Sequence, residues 1–383
     1  MKILHIGFSP VTDGWNYQDN LLPKYHYKLG HEVWYITGQW VWGEAGKLKP
    51  IFDNKYKNRD HVTMIRLSTI KNKPYTYKFK RFENLYPTIE EINPDILFIH
   101  GCQFVDIKVI VDYLHRHPEV TVYVDNHADF SNSASNWLSK NILHKIIWRH
   151  YAKMIEPYTK KFYGVLPARV DFLVDVYKLP KEKVELLVMG ADDELVETAK
   201  EPDVRRNLRK KYGIAPDDFL IMTGGKIDLA KRQTLLLMQA VQSIPSERVK
   251  LIVFGSVVDE LKEEIARLSD GVKVQYIGWI DAKESYDYFA SSNLVVFPGR
   301  HSVFWEQVVA QGVPLVIKYW EGTTHVDIGG NCQFLYEDSV DEIQHVIESL
   351  VDYSEKYQQL WDAAQKSVKN NFLYSEIAKK SLS

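Results

Sequence analysis

The sequence predicts an α/β protein made of two doubly wound domains in succession. Three observations carry this. Short apolar runs alternate with amphipathic stretches along the whole chain. The runs are continuous, as suits strands buried on both faces of a parallel sheet, where strands with one wet face alternate. The cycle then starts again after a charged, proline-containing connector at 201–219, EPDVRRNLRKKYGIAPDDF, as two α/β domains would require.

In the first half the expected strands lie in MKILHIG, HEVWYITG, DILFIHG, VTVYVDNH, GVLP and VELLVMG. The segment 17–29 reads as a crossover helix despite Pro23, with Gly30 as its stop. In the second half the strands lie in FLIMTGG, VKLIVFGS, VKVQYIGW, LVVFPG and VPLVIKYW, with helices at 232–243, 257–268, 283–291 and 303–311. The tail 340–383 reads as helices. Ligands of such sheets bind outside the carboxyl ends of the strands, so two domains of this kind predict a cleft between them.

The chain has 383 residues, enough for two domains with their own cores. With 45% hydrophobic and 26% charged residues, disorder is not expected. Cys102 and Cys332 stand alone, with neither disulfide framework nor metal-ligand spacing, which suits a thiol-keeping cytosol. No apolar run approaches the ~18 residues of a membrane span, and the amino-terminal residues read as a strand and loop, not as a signal peptide. These features predict a soluble, cytoplasmic protein. Charge is uneven: residues 1–192 carry a net +5 and the remainder −7, for −2 overall. The basic half suits either an anionic lipid or polymer surface or ordinary solvation.

Several phrases, in this order, resemble the retaining glycosyltransferases of the GT-B fold, in particular glycosyltransferase family 4. They are KLGHEVWYITG (28–38), PDILFIHG (94–101), LPKEKVELLVMGADDELV (179–196), FLIMTGGKIDLAKRQTLLLMQA (219–240) and EQVVAQGVPLVI (306–317). The resemblance implies two Rossmann-like domains facing a cleft. The first, acceptor-side, would run over 1–195, with a C-terminal helix, 371–383, crossing back to it. The second, 196–370, would bind the nucleotide sugar.

Within GGKIDLAKRQ, glycines before Lys226 and Lys231 form a strand–loop–helix junction that offers backbone donors and cations to a diphosphate. The resemblance implies that Gly225, Lys226 and Lys231 hold the donor diphosphate and stabilise it as leaving group, with Gly255 at the next strand end. Lys226 stands where the family has arginine, which keeps the charge and loses bidentate geometry. Glu306 is implied to grip the nucleotide ribose, since a helix-start carboxylate accepts hydrogen bonds from two vicinal hydroxyls. The family's sugar-binding glutamate, eight positions earlier, is Pro298 here. In that loop Arg300 and Ser302, with helix N-terminal amides, suit phosphate, and Arg300 and His301 are expected to rebuild the sugar end. Beyond the next strand Trp320 suits stacking on a sugar, and Glu321 or His325 suits its hydroxyls. Glu321 is expected to replace part of the missing carboxylate.

In the first half, His127 of VYVDNHADF occupies the position of the family's histidine beside the donor sugar, flanked by Asp125 and Asp129. Lone histidines are also common as structural groups. These residues form no closed ligand set, and the resemblance implies no metal and no cofactor. Gly7, Asp13, Gly14 and Trp15 are expected on the acceptor side.

The stretch 135–164 alternates aliphatic, aromatic and basic residues, and 71–82 does so more loosely. Either reading stands for 135–164: a surface helix for an anionic membrane, or a core helix with a solvated basic face. No nucleic-acid-binding module is present. The implied activity is transfer of a hexose-type sugar from a nucleoside diphosphate sugar, of UDP or GDP type, to a hydroxyl of a glycan or lipid-linked glycan. It suits bacterial surface polysaccharide synthesis at the inner face of the membrane. The rivals are a nucleotide-sugar epimerase of the same fold and a non-catalytic nucleotide-sugar- or glycan-binding member.

Overall fold

The computed structural model describes residues 1–43, 47–70, 79, 81–351, 354–367 and 371–383. Most of the stretch at 71–82 that was read as basic and aromatic lies outside them. The chain divides into two compact units, Met1–Met189 with Tyr374–Ser383, and Gly190–Leu373.

The first unit is built on an eight-stranded sheet. Its strands are β1 (Lys2–Gly7), β2 (Glu32–Gly38), β5 (Lys55–Lys57), β6 (Thr63–Leu67), β7 (Ile96–His100), β8 (Thr121–Asn126), β9 (Thr159–Gly164) and β10 (Val184–Leu186). A small hairpin, β3 (Trp40–Trp42) with β4 (Leu48–Pro50), stands apart. The sheet order is β10-β9-β8-β7-β1-β2-β6-β5. All its pairings are parallel except β5 with β6. The continuous apolar runs are explained: Ile3, Leu4 and Ile6 of β1 and Leu97, Phe98 and Ile99 of β7 are fully buried, because helices cover both faces. The strand order reverses between β1 and β7, so the carboxyl ends at Gly7 and His100 flank a switch point.

One expectation is corrected here. The stretch 135–164 is not one amphipathic segment, because Thr159–Gly164 is strand β9, in a place assigned to helix. Its last three residues, Phe162, Tyr163 and Gly164, are all buried and pair in parallel with β8, as a strand covered on both faces does. The helical part comprises a π-wound stretch, Ser139–Trp148, continued by Arg149–Ile155. Its inner face places Trp148, Ala152 and Ile155 in the core. The C-terminal helix Tyr374–Lys380 packs in the first unit, where Tyr374, Ile377 and Ala378 share an apolar cluster with Leu21, Tyr25 and Tyr163.

The second unit has a six-stranded, wholly parallel sheet: β11 (Phe219–Gly224), β12 (Val249–Phe254), β13 (Val274–Tyr276), β14 (Leu294–Phe297), β15 (Leu315–Lys318) and β16 (Cys332–Leu335). Its order is β13-β12-β11-β14-β15-β16. The switch point falls between β11 and β14. Their carboxyl ends, Gly224 and Phe297, open directly into the loops carrying Lys226 and Arg300. Helices Gln233–Ser243, Lys262–Leu268, Glu284–Ser291 and Phe304–Ala310 stand where they were expected. Among the described residues, no helix is long and apolar enough to cross a membrane.

Candidate functional site

In the second unit, β11 ends in two glycines because only glycine fits. Gly225 has φ +118°, and Gly255, at the end of β12, has φ +124°. A Cβ on Gly255 would sit 1.8 Å from the Gly225 carbonyl oxygen, so the two loops touch backbone to backbone. Asp228 accepts a hydrogen bond from the Ala230 N–H at 3.0 Å and starts a single turn, Leu229–Lys231. Lys226 lies 3.4 Å from Asp228 and is otherwise exposed. Lys231 lies deeper, in a pocket it shares with Thr223, Gly224, Pro298, Gly299, Arg300 and Ser302. Burial lowers the Lys231 ammonium from its ordinary pKa; Asp228 opposes this, and the charges of Lys226 and Arg300 add to it. Three cations thus crowd one switch point, which is what a site for a polyanion looks like before the anion arrives. The Trp320 indole N–H donates to the Gly299 carbonyl at 3.4 Å, bringing the loop after β15 to this rim.

Glu306 lies in the first turn of its helix and is fully buried. Its Oε1 accepts from His301 Nε2 at 2.8 Å and from His325 Nε2 at 2.9 Å, while its Oε2 is buried with no hydrogen-bond partner. Burial alone would raise the carboxyl, but the two imidazoles outweigh it and hold its pKa at about 2. Glu306 is therefore an anion with one oxygen committed and one unsatisfied, a state that invites a donor such as a hydroxyl. The sequence reading took Glu306 as a lone carboxylate and missed both histidines as its partners. The sequence places His301 and His325 with the sugar, whereas both turn inward to Glu306. Glu321, the expected replacement carboxylate, is exposed. The two imidazoles and the carboxylate put three ligand atoms within 4.8 Å of one another, a donor set that suits a divalent transition metal. The sequence reading had looked for a metal only around His127.

In the first unit, His127 follows β8. Its Nε2 lies 3.6 Å from Asp125 Oδ2, and its side chain is 40% exposed. Asp125 is fully buried and accepts from Gln18 Nε2 at 3.1 Å and from His100 Nδ1 at 2.8 Å. Asp129 does not join them. Arg169 Nε donates to it at 2.9 Å, and so do the backbone N–H groups of Ser131 and Asn132, so Asp129 closes its own loop. Gly7 ends β1, where a Cβ would lie 2.4 Å from the Tyr35 hydroxyl. Asp13 accepts from the Tyr56 hydroxyl at 2.7 Å and lies 3.9 Å from Arg66. The Gly14 carbonyl accepts from Arg59 at 2.9 Å. Trp15 rests against Tyr17, with ring centroids 5.6 Å apart. Of the expected acceptor-side residues, Asp13 and Gly14 are thus tied into the unit's own framework.

Residues 204–367 match the model of glycosyl transferases group 1. The matched stretch lies within the second unit, Gly190–Leu373. An uncharacterized glycosyltransferase of Methanocaldococcus jannaschii is 20% identical over 215 residues, covering 54% of this chain and 55% of that protein. Mannosylfructose-phosphate synthase of Agrobacterium fabrum is 23% identical over 165 residues, 39% of this chain and 36% of that one. The matches thus span about half the length of one curated relative and about a third of the other. HepE of Anabaena, crystallised with UDP, aligns over 99% of this chain and 98% of its own at 16% identity, with a TM-score of 0.72. Likeness over that length gives the fold, which is GT-B. The doubly wound glycosyltransferase architecture expected from the sequence is the one observed.

Proposed function

We propose that the chain is a retaining glycosyltransferase. It would move a hexose-type sugar from a UDP or GDP sugar to a hydroxyl of a glycan or lipid-linked glycan, as in bacterial surface polysaccharide synthesis. The observation that carries this is the pairing, within one GT-B domain, of a three-cation pocket (Lys226, Lys231, Arg300) with the half-satisfied carboxylate of Glu306. The cations take the diphosphate and stabilise the charge that develops as it leaves. The unpartnered Glu306 oxygen takes ribose hydroxyls, with His301 and His325 fixing its orientation. HepE, of the same fold, was crystallised with UDP, which supports a uridine donor. In the first unit, His127 is assigned to the sugar or attacking hydroxyl, and Gly7 and Trp15 to the acceptor side. Because the lysines supply the positive charge, transfer is proposed to need no metal, and His301, Glu306 and His325 are assigned as a hydrogen-bonded group. Undiminished turnover in a chelator tests that assignment.

The decisive measurement is thermal stabilisation by UDP, GDP and ADP, followed by release of nucleotide from the matching sugar donors with and without acceptor. Stabilisation by one diphosphate and acceptor-dependent release support the reading. Turnover of donor without acceptor would mark epimerisation or hydrolysis instead, and no stabilisation by any diphosphate would sink it.

We further assign the helix beginning at Trp137 to the surface of an anionic membrane. From 130 to 155 there is no Asp or Glu, while Lys140, Lys145, Arg149 and Lys153 supply positive charge. Trp137, Leu138, Ile142 and Ile146 stand 68, 65, 40 and 59% exposed. That is an unburied apolar stripe beside basic residues on a helix whose other face fills the core. Flotation with vesicles of zwitterionic lipid, alone or with an anionic lipid, tests it; equal recovery from both would refute it.

A further inference from the structure

The first unit buries three histidines that the reading above does not use, and they form a line. His100 Nε2 lies 3.0 Å from His5 Nδ1, and His5 Nε2 lies 3.0 Å from His26 Nδ1. The ends are fixed: His100 Nδ1 reaches Asp125 Oδ2 at 2.8 Å, and His26 Nε2 reaches Ser381 Oγ at 2.8 Å. The Ser381 hydroxyl donates to the Ala378 carbonyl at 2.9 Å. His5, His26, Asp125 and Ser381 are fully buried, and the His100 side chain is 4% exposed.

Proton counting then decides the charge. A carbonyl can only accept, so the single Ser381 proton goes to Ala378. Ser381 Oγ must therefore accept from His26 Nε2–H. That leaves His26 Nδ1 to accept from His5 Nε2–H, and His5 Nδ1 to accept from His100 Nε2–H. His100 must also donate through Nδ1 to Asp125, which leaves it with two ring protons. With every ring neutral, one link would set lone pair against lone pair among buried side chains, at the cost of a buried unsatisfied group.

We propose that Asp125, His100, His5 and His26 form one chain that stores a proton on His100 and so keeps Asp125 an oriented carboxylate for His127. The other groups facing the chain agree with this. Asp19 Oδ1 lies 3.3 Å from His100 Nδ1, and Gln18 donates to Asp125. Tyr35 stacks on His100 with centroids 5.4 Å apart, and its hydroxyl points to Asp19. At the far end, His31 lies against His26, with ring centroids 6.5 Å apart. Positive charge therefore gathers where carboxylates lie, at His100, and not along the rest of the line. Burial would lower His100, yet Asp125 and Asp19 raise it; His5 is lowered by burial and its imidazole neighbours. Asp125 and His100 are thus positioning residues for His127. This role rests on the reading of His127 given above, whereas the proton count does not.

Nitrogen-resolved NMR of histidine-labelled protein, full chain, tests both parts. Between about pH 6 and about pH 8, the window in which free imidazole changes charge, His100 should carry protons on both ring nitrogens. His5 and His26 should each carry one, on Nε2. A singly protonated His100, or His5 or His26 protonated on Nδ1, overturns the chain, and this test needs no variant. His127 should hold its proton on Nε2, facing Asp125. In Asp125→Asn, His100 should lose one proton and His127 should redistribute its own toward Nδ1. An unchanged His127 tautomer in that variant overturns the positioning role. Absence of any sugar transfer by the wild type would instead overturn the proposed activity and leave the proton count standing.

Discussion

Mild acid should unfold the first unit through His26. In the unfolded chain this imidazole titrates near 6.5; in the fold, burial first and then the charge of His31 push it down to about 3, against an opposing hydrogen bond to Ala378. The sign follows from linkage. Between those two values the unfolded chain binds a proton that the folded chain refuses, so stability from neutral His26 is full above about pH 6.5 and falls as pH drops. At pH 5 the loss is about 2 kcal/mol, at pH 4 about 3 kcal/mol, with a limiting slope of about 1.4 kcal/mol per pH unit. His5 is lowered too and adds a loss of the same sign. His100 is raised, so its contribution is full below the unfolded value and is lost only as pH rises, outside this window. Asp125 is held below the usual carboxylate range, so its contribution fails only in stronger acid.

The assay is urea unfolding at pH 7.5 and pH 5 for the wild type and for His26→Gln. Glutamine keeps a donor for Ser381 and an acceptor for His5, and removes the titration. The wild type should lose about 2 kcal/mol more than the variant between the two pH values. Carboxylates common to both cancel in that comparison. Equal pH dependence in the two proteins would refute the reasoning, because no neutral buried His26 would then exist.

Four further outcomes follow from the second unit. Glu306→Gln should weaken nucleoside diphosphate binding by about tenfold or more, since a charged acceptor is worth about 1.5–3 kcal/mol; calorimetric titration reads it. Because the Glu306 carboxyl lies at about 2, binding by the wild type should show no loss from its protonation down to about pH 3. Lys231→Ala should weaken the same binding by about 10–100-fold at low salt and by less at high salt, where screening shrinks the lysine's share. Gly255→Ala should cost at least about 2 kcal/mol, because both its positive φ and the 1.8 Å approach to Gly225 forbid a Cβ; a thermal melt unchanged within about a degree would contradict the loop contact.

Much of the fold was legible because buried parallel strands write themselves as unbroken apolar runs. Phe219–Gly224 is such a run, Lys2–Gly7 and Val249–Phe254 are broken inside only by His5 and Lys250, and each was found. The segments that escaped lack that signature. Lys55–Lys57 is a three-residue edge strand with exposed lysines, and Trp40–Trp42 with Leu48–Pro50 is a hairpin outside the main sheet. Thr159–Gly164 hid because two lysines interrupt it and a basic helix precedes it. The exposed edge of a sheet carries little hydrophobic information, so local pattern reading stops there.

The candidate site divides along a different line. Lys231 and Glu306 could be singled out because each belongs to a short local unit, a strand–loop–turn and a helix start, that the family resemblance covers. Their partners could not. His325 reaches Glu306 from 19 residues away, His100 reaches His5 across 95, and Ser381 reaches His26 across 355. Only the order of strands makes these contacts, since β1 and β7 pair and the last helix packs beside the first. This changes the meaning of Pro298. By the family resemblance, its presence in place of a glutamate would remove half of a sugar site. With the side chains placed, the loop that lost the carboxylate supplies His301 to the remaining one, and the loop after β15 supplies His325. Two imidazoles sharing one glutamate oxygen leave the other oxygen buried and without a hydrogen-bond partner. On the proposed reading, that arrangement would bind hydroxyls with a single carboxylate, provided both histidines stay in place. His301→Ala and His325→Ala should therefore each cost nucleotide affinity, although neither is assigned to touch the nucleotide.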